Sequence, residues 1–172
     1  MTVEDRLAAL EERLRLVEDR LAITDLIYRY GPAIDTGSAA DVLSLFTADG
    51  VYDVDTGRLS GAEAIAEMVD GQAHQGLVHR GCSHVMSAPQ IELDGDTATV
   101  VSYSQLVLRR SDDRAYAVLR ATANHWELVR TPDGWRVAKR TARKIDGSAQ
   151  VRALLGSHLT GAATGADGSA AD

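Results

Sequence analysis

The apolar positions of the chain change period twice, and the two changes divide it into three stretches. From Val3 to Leu21, apolar residues fall at 3, 7, 10, 14, 17 and 21. Alternating spacings of four and three make the seam of a heptad helix, with Glu and Arg on its other faces. Thr2 with Asp5 three positions on reads as a capping-box start. The pattern predicts one helix from 3 to about 30, stopped by Gly31-Pro32, because the residue before a proline is pushed out of the α region. Asp35-Thr36-Gly37 then reads as a turn. A second helix is expected at about 39–46, opened by Ser38 and Asp41, and a short strand at 50–57. Ser60-Gly61-Ala62-Glu63 has the S-x-x-E form that starts a third helix, about 61–71.

From residue 78 the period becomes two. Strands are expected at 82–93, 96–110, 114–130 and 135–145, punctuated by Asp94-Gly95, Ser111-Asp112-Asp113 and Pro132-Asp133-Gly134. A helical turn at 148–155 closes the pattern. The plan is α+β: a strongly curved, antiparallel-rich sheet with three N-terminal helices on its concave face, the first extended beyond it. This divides into an N-terminal helical extension (1–20) for contacts between subunits, a domain (21–155), and a Gly/Ala/Ser-rich tail (156–172) expected to be disordered.

Composition narrows the function classes. A net charge of −7 with unsorted basic residues argues against nucleic acid. One cysteine, Cys82, excludes an intramolecular disulfide and fits a reducing compartment. A charged N-terminus and no apolar run of membrane length give the expectation of a cytoplasmic protein without a membrane contact. No phosphate loop, dinucleotide glycine pattern, paired-cysteine motif or nucleophile elbow is present. No cofactor is expected. The five histidines lack helical metal spacing, so no metal is expected either.

What remains is an acid–base pair. Asp35 follows an apolar segment, and His84 enters a strand as S-H-V-M. If the broken helix covers the sheet, the two meet, and the carboxylate would fix the imidazole as a general base. By residue type alone, an Asp before Thr-Gly is more often a turn former and a strand His more often structural. Tyr30 lies about 140° from Asp35 on an ideal helix, so sharing a site requires the Gly31-Pro32 break to re-aim the chain. On the last strand, alternation places Trp135, Val137, Lys139 and Thr141 on one face and Arg136, Ala138, Arg140 and Ala142 on the other. Arg140 then reads first as part of an exposed cationic face, and second as a partner for an anionic intermediate. Asn124 and Trp126 share a face that would line a pocket.

Several blocks together resemble the SnoaL-like branch of the nuclear transport factor 2-like superfamily. They are A-I-T-D-L-I-Y-R-Y-G-P-A-I-D, D-V-L-S-L-F-T-A-D-G-V-Y-D, G-A-E-A-I-A-E-M-V, S-H-V-M-S-A-P-Q-I-E-L-D-G-D-T-A and H-W-E-L-V-R-T-P-D-G-W-R-V-A-K-R, covering roughly residues 20–145. The resemblance implies a cone-shaped α+β fold. Its lyase branches, similar to scytalone dehydratase, bile-acid 7α-dehydratase and hexachlorocyclohexane dehydrochlorinase, imply an Asp–His pair at Asp35 and His84, an active-site tyrosine at Tyr30 and an arginine near Arg140. They also imply a homotrimer. The chain departs from them where scytalone dehydratase has a second histidine (Arg109-Arg110 here) and where a first-strand tyrosine becomes Val54, with Tyr52 close by. The expected function is a cofactor-independent dehydratase on a hydrophobic cyclic, steroid-like or polyketide-like substrate. The alternatives are an isomerase or cyclase on a similar substrate, and a binding or subunit protein of the same fold.

Overall fold

The computed structural model describes residues 1–110 and 115–157. The expected turn at Ser111-Asp112-Asp113, the tail from 158 and His158 lie outside the described residues. The first helix, α1 (Val3–Asp35), begins with the capping box read from the sequence, Thr2 and Asp5 each bonding the other's backbone N–H. It does not stop at Gly31-Pro32. Pro32 sits inside the last turn, and the helix runs on to Asp35. The cost of a proline there is one missing N–H, and contacts at both flanks hold the turn helical. Ile34 is buried, and Asp35 is tied to the sheet by three hydrogen bonds.

α2 (Ala39–Leu43) is capped by Ser38 and ends early. Leu45 and Phe46 are buried, and Phe46 already belongs to β1 (Phe46–Val54). A hairpin returns as β2 (Gly57–Ser60), with Val51 opposite Ser60. That pairing removes Ser60 from the expected capping box. Gly61 (φ +85°) caps α3 (Ala62–Asp70) instead, without a side-chain bond. A fourth helix, α4 (Gln72–Arg80), was not anticipated; its Gly76 and two histidines weaken any periodic signal. The expected strand 82–93 is two strands, β3 (Cys82–Met86) and β4 (Gln90–Asp94), separated at Ser87-Ala88-Pro89 and both pairing with β5 (Thr97–Arg109). β6 (Tyr116–Thr131), β7 (Gly134–Lys144) and α5 (Ala149–Gly156) follow as expected within two residues.

The seven-stranded sheet has the order β2-β1-β7-β6-β5-β3, with β4 also on β5. It is mixed, because β1 runs parallel to β7. The N-terminal helices cover its concave face, and α5 packs against β5 and β6 beside Val101 and Tyr103. Ile23, Leu26, Ile27, Tyr30 and Ile34 of α1 bury against Val100, Trp126, Leu128 and Val137, each large side chain contributing about 1.5–3 kcal/mol. Farther up α1, Asp19 accepts two bonds from the Arg130 guanidinium (2.7 Å each) and one from the Trp135 indole (3.1 Å). This clasp marks where the helix leaves the domain. Residues 1–18 are exposed along their whole length.

One irregularity in β7 decides the site. Val137 pairs with Leu128 but Lys139 with Glu127, so Ala138 is an extra residue, a bulge. The side-chain parity reverses there. Trp135 and Val137 face the core, and beyond the bulge so do Arg140 and Ala142.

Candidate functional site

Two helical turns and one short strand build the centre. On β3, Cys82, His84 and Met86 alternate onto the concave face. On α1, Gly31 and Asp35 are four apart and face that strand. A Cβ at Gly31 would lie 2.3 Å from the His84 carbonyl oxygen, so only glycine allows helix and strand this close. The proximity brings Asp35 under His84. The His84 backbone N–H donates to Asp35 Oδ2 (2.7 Å), and its ring Nδ1 meets Oδ1 at 2.6 Å. The Cys82 thiol donates to the same Oδ1 (3.5 Å).

A carboxylate at that distance takes a proton-bearing Nδ1, which leaves Nε2 as the lone-pair nitrogen. Burial pushes the Asp35 carboxyl up, but the bonds from the His84 ring and backbone outweigh it and hold the group below its ordinary value. Burial, then the charge of Asp35, raises the Cys82 thiol to about 11. Asp35, Cys82 and His84 place three donor atoms within 4.8 Å of one another, a set that can hold a metal ion. Binding one requires a thiolate at Cys82, whose proton Asp35 instead favours, and breaks the bonds that Asp35 now accepts. The donors form a hydrogen-bonded cluster as they stand.

His84 borders a cavity of about 130 Å³, lined also by Tyr52, Ser104, Leu106, Arg120, Thr122, Arg140 and Ala142. Arg140 is 2% exposed, and no carboxylate pairs with it among the described residues. Its Nε and Nη2 donate to the Asn124 side-chain oxygen (3.2 and 2.7 Å), and its Nη1 has no partner. Three aromatic faces surround the guanidinium: Tyr30 at 3.9 Å, Trp126 at 4.5 Å and Tyr52 at 5.0 Å. The expectation of an exposed Arg140 is thus reversed, because the bulge at Ala138 turns it inward. Tyr30 is buried, its ring edge-on to His84 with centroids 6.4 Å apart. Desolvation raises its phenol far above the usual range, so it carries its proton beside Arg140 and Tyr52. The continuous helix meets this need without the expected break, since the sheet curves around both flanks of α1.

Other expected residues sit elsewhere. Asn124 and Trp126 are buried behind the cavity: Asn124 donates to Ser104 Oγ and the Ser102 carbonyl, and Trp126 to Ser102 Oγ. They hold Arg140 rather than line the pocket. Val54, two positions beyond Tyr52 on β1, is not among the lining residues. Arg109 and Arg110 are exposed at the end of β5. His79 lies in α4, with Nδ1 on the Gln75 carbonyl. Three contributors were missed. Cys82 was detectable, being two positions from His84 on one strand. His74 is buried with its Nε2 2.9 Å from the Ile34 carbonyl, its ring 6.5 Å from that of His84. No local pattern signals it or Arg120.

A larger groove of about 430 Å³ lies between β5 and α5, and among the described residues that line it only Tyr103 and Arg152 are ionisable. Of the acid–base residues, His84 borders the smaller cavity, while Asp35 and Tyr30 are not among its lining and reach it through His84 and Arg140.

A model of the SnoaL-like domain matches residues 15–141. The chain belongs to this family. Among similar proteins, an uncharacterised protein of Mycobacterium tuberculosis is 29% identical over 131 residues, 74% of this chain and 86% of that one. A nuclear transport factor 2-like protein with a cystatin-like fold, from Novosphingobium aromaticivorans, is 41% identical. The match covers 87% of this chain and 96% of the other, with a TM-score of 0.83. Hexachlorocyclohexane dehydrochlorinase from Novosphingobium barchaimii shares the fold at 17% identity, covering 77% and 90%, with a TM-score of 0.66. Among the described residues no helix is long and apolar enough to cross a membrane.

Proposed function

We propose that this SnoaL-like protein is a cofactor-independent lyase whose general base is His84. The observation that carries the reading is the 2.6 Å contact between Asp35 and His84 Nδ1 at the edge of an open cavity. Nε2 removes a proton from a carbon α to a carbonyl, and Asp35 stabilises the imidazolium that results. Negative charge collects on the carbonyl oxygen. Tyr30, a donor that keeps its proton, and Arg140, a buried cation with a spare N–H, are suited to hold that oxygen. Collapse of the enolate breaks the bond to a β-hydroxyl, which leaves as water with the proton returned from the His84 imidazolium, so that the base is regenerated.

The cavity limits the substrate. At about 130 Å³ it is well below the roughly 300–1,000 Å³ that drug-sized ligands occupy. It suits the reacting end of a hydrophobic cyclic substrate, with the remainder outside. The polar lining from Ser104, Thr122 and Arg120 favours an oxygen-bearing end.

The test is turnover of β-hydroxy cyclic ketones by the wild-type protein and by His84→Ala, followed by the absorbance of the enone. Wild-type turnover that the variant loses, with its fold unchanged by circular dichroism, supports the lyase. Equal turnover in both excludes His84 as the base. Ligand binding without conversion, at an affinity independent of pH, places the protein among binding modules instead.

A further inference from the structure

The exposed half of α1 carries more than an apolar seam. Val3, Leu7, Leu10, Leu14, Val17 and Leu21 are all more than half exposed; Leu14 is 57% and Leu21 65% accessible. Taking Leu7, Leu14 and Leu21 as heptad positions a, positions d are Val3, Leu10 and Val17. The positions flanking the seam then sort by sign. Every e position is acidic: Glu4, Glu11, Glu18 and Asp25. Positions g are basic in three successive heptads: Arg6, Arg13 and Arg20.

The domain uses the other side of the same helix. Asp19, Ile23, Leu26 and Tyr30, which are buried, fall at c and f. Charges on that side are satisfied within the chain: Arg15 bonds Glu12 and Asp19. Among the described residues, no ion pair engages the side chains of Glu4, Arg6, Glu11, Arg13 or Glu18. Arg20, nearest the domain, reaches the Ile91 carbonyl.

We infer that the exposed seam of α1 pairs in parallel with the α1 helices of further copies of this chain. In a parallel coil each g residue faces the e residue five positions on in its neighbour. Arg6 meets Glu11 of the partner subunit, Arg13 meets Glu18 of the partner subunit, and both signs match throughout. In an antiparallel coil g faces g and e faces e, so arginine meets arginine and glutamate meets glutamate. The separation of signs therefore selects both the occupant and its direction: a second copy in the same orientation satisfies it, and a reversed copy does not. Residues 3–18, beyond the domain, give a rod of about 24 Å, long enough for two heptads to pair clear of the sheet.

The experiment uses the full chain carrying Leu7→Cys, oxidised mildly, with the wild type as control for Cys82. A disulfide needs Cα atoms within about 7 Å. Parallel pairing sets position 7 opposite itself and predicts a covalent dimer absent from the wild type. Adding Arg6→Glu and Arg13→Glu makes both flanks acidic, and the cross-linked fraction at low salt should fall about tenfold. Adding Glu11→Arg and Glu18→Arg to those restores opposite signs and should restore the cross-link. Position 7 is exposed, so none of these changes threatens the fold. A monomeric mass for the wild type, a multimer in which Leu7→Cys fails to link, or equal linking by the charge-reversed variant would each overturn the inference.

Discussion

Helix α1 presents two carboxylates to the sheet, and they are used in opposite ways. Asp19 is closed on every side: Arg130 grips it with two bonds, Trp135 donates a third, and Arg130 itself lies 4.5 Å over the Trp135 ring. The Arg130 bonds come first in holding Asp19 below its ordinary value, and a guanidinium gives up no proton in exchange. Asp35, sixteen residues on, spends its bonds on a group that does exchange one. One carboxylate ends in a permanent cation and fixes a helix. The other ends in an imidazole that borders a cavity. The same contrast holds for the arginines: Arg130 has two carboxylate partners, and Arg140, more deeply buried, has none among the described residues.

Substitutions should separate the two regions. The largest effect is expected at the exchanging end. Asp35→Asn and His84→Ala should each lower kcat by about 10²–10⁴-fold in protein that is still folded at the assay temperature; near-normal turnover in steady-state assays would erase the distinction. Asp19→Ala should do the reverse. It leaves Arg130 half-satisfied by Asp96 and strips a bond from Trp135, costing roughly 2 kcal/mol in urea unfolding, while kcat of the folded protein stays within about twofold. Arg140→Met removes a buried cation without a carboxylate and fills its space. KM should rise about tenfold without loss of thermal stability, and a fall in stability would mean that the cation–π contacts outweigh its desolvation.

The smallest effect is the acid limb of stability. Both carboxylates titrate below 3.8 in the folded chain. Each contributes stability that is complete above that value and is lost as pH falls through the lower, folded value. Asp19→Asn and Asp35→Asn should therefore each flatten the decline in melting temperature below pH 4.

What could be read beforehand follows from the range of the signal. The heptad seam, the Thr2 cap, the turns at Asp94-Gly95 and Pro132-Asp133-Gly134 and the strands β5 to β7 are encoded within a few residues, and they appear where the pattern places them. The Asp35–His84 contact was legible only through the resemblance, because the neighbours of each residue favour a turn former and a structural histidine. Ser60 shows the limit: its capping motif is intact, yet strand pairing with Val51 claims it. Pro32 shows it again, since a local preference to end the helix yields to three bonds at Asp35. Arg140 was misplaced for a different reason. Strict alternation is a parity count, and nothing in W-R-V-A-K-R announces that Ala138 goes uncounted.

That uncounted alanine has a bearing on inheritance. A strand is copied between relatives as a string of letters, yet its two faces behave like alternate words in a coded message, and the bulge is where the reader must skip one. A relative that keeps every letter of β7 but loses the skip would send Arg140 to solvent and a neighbour to the cavity. Transferring a role along this strand from one sequence to another is sound only when the skip is transferred with it.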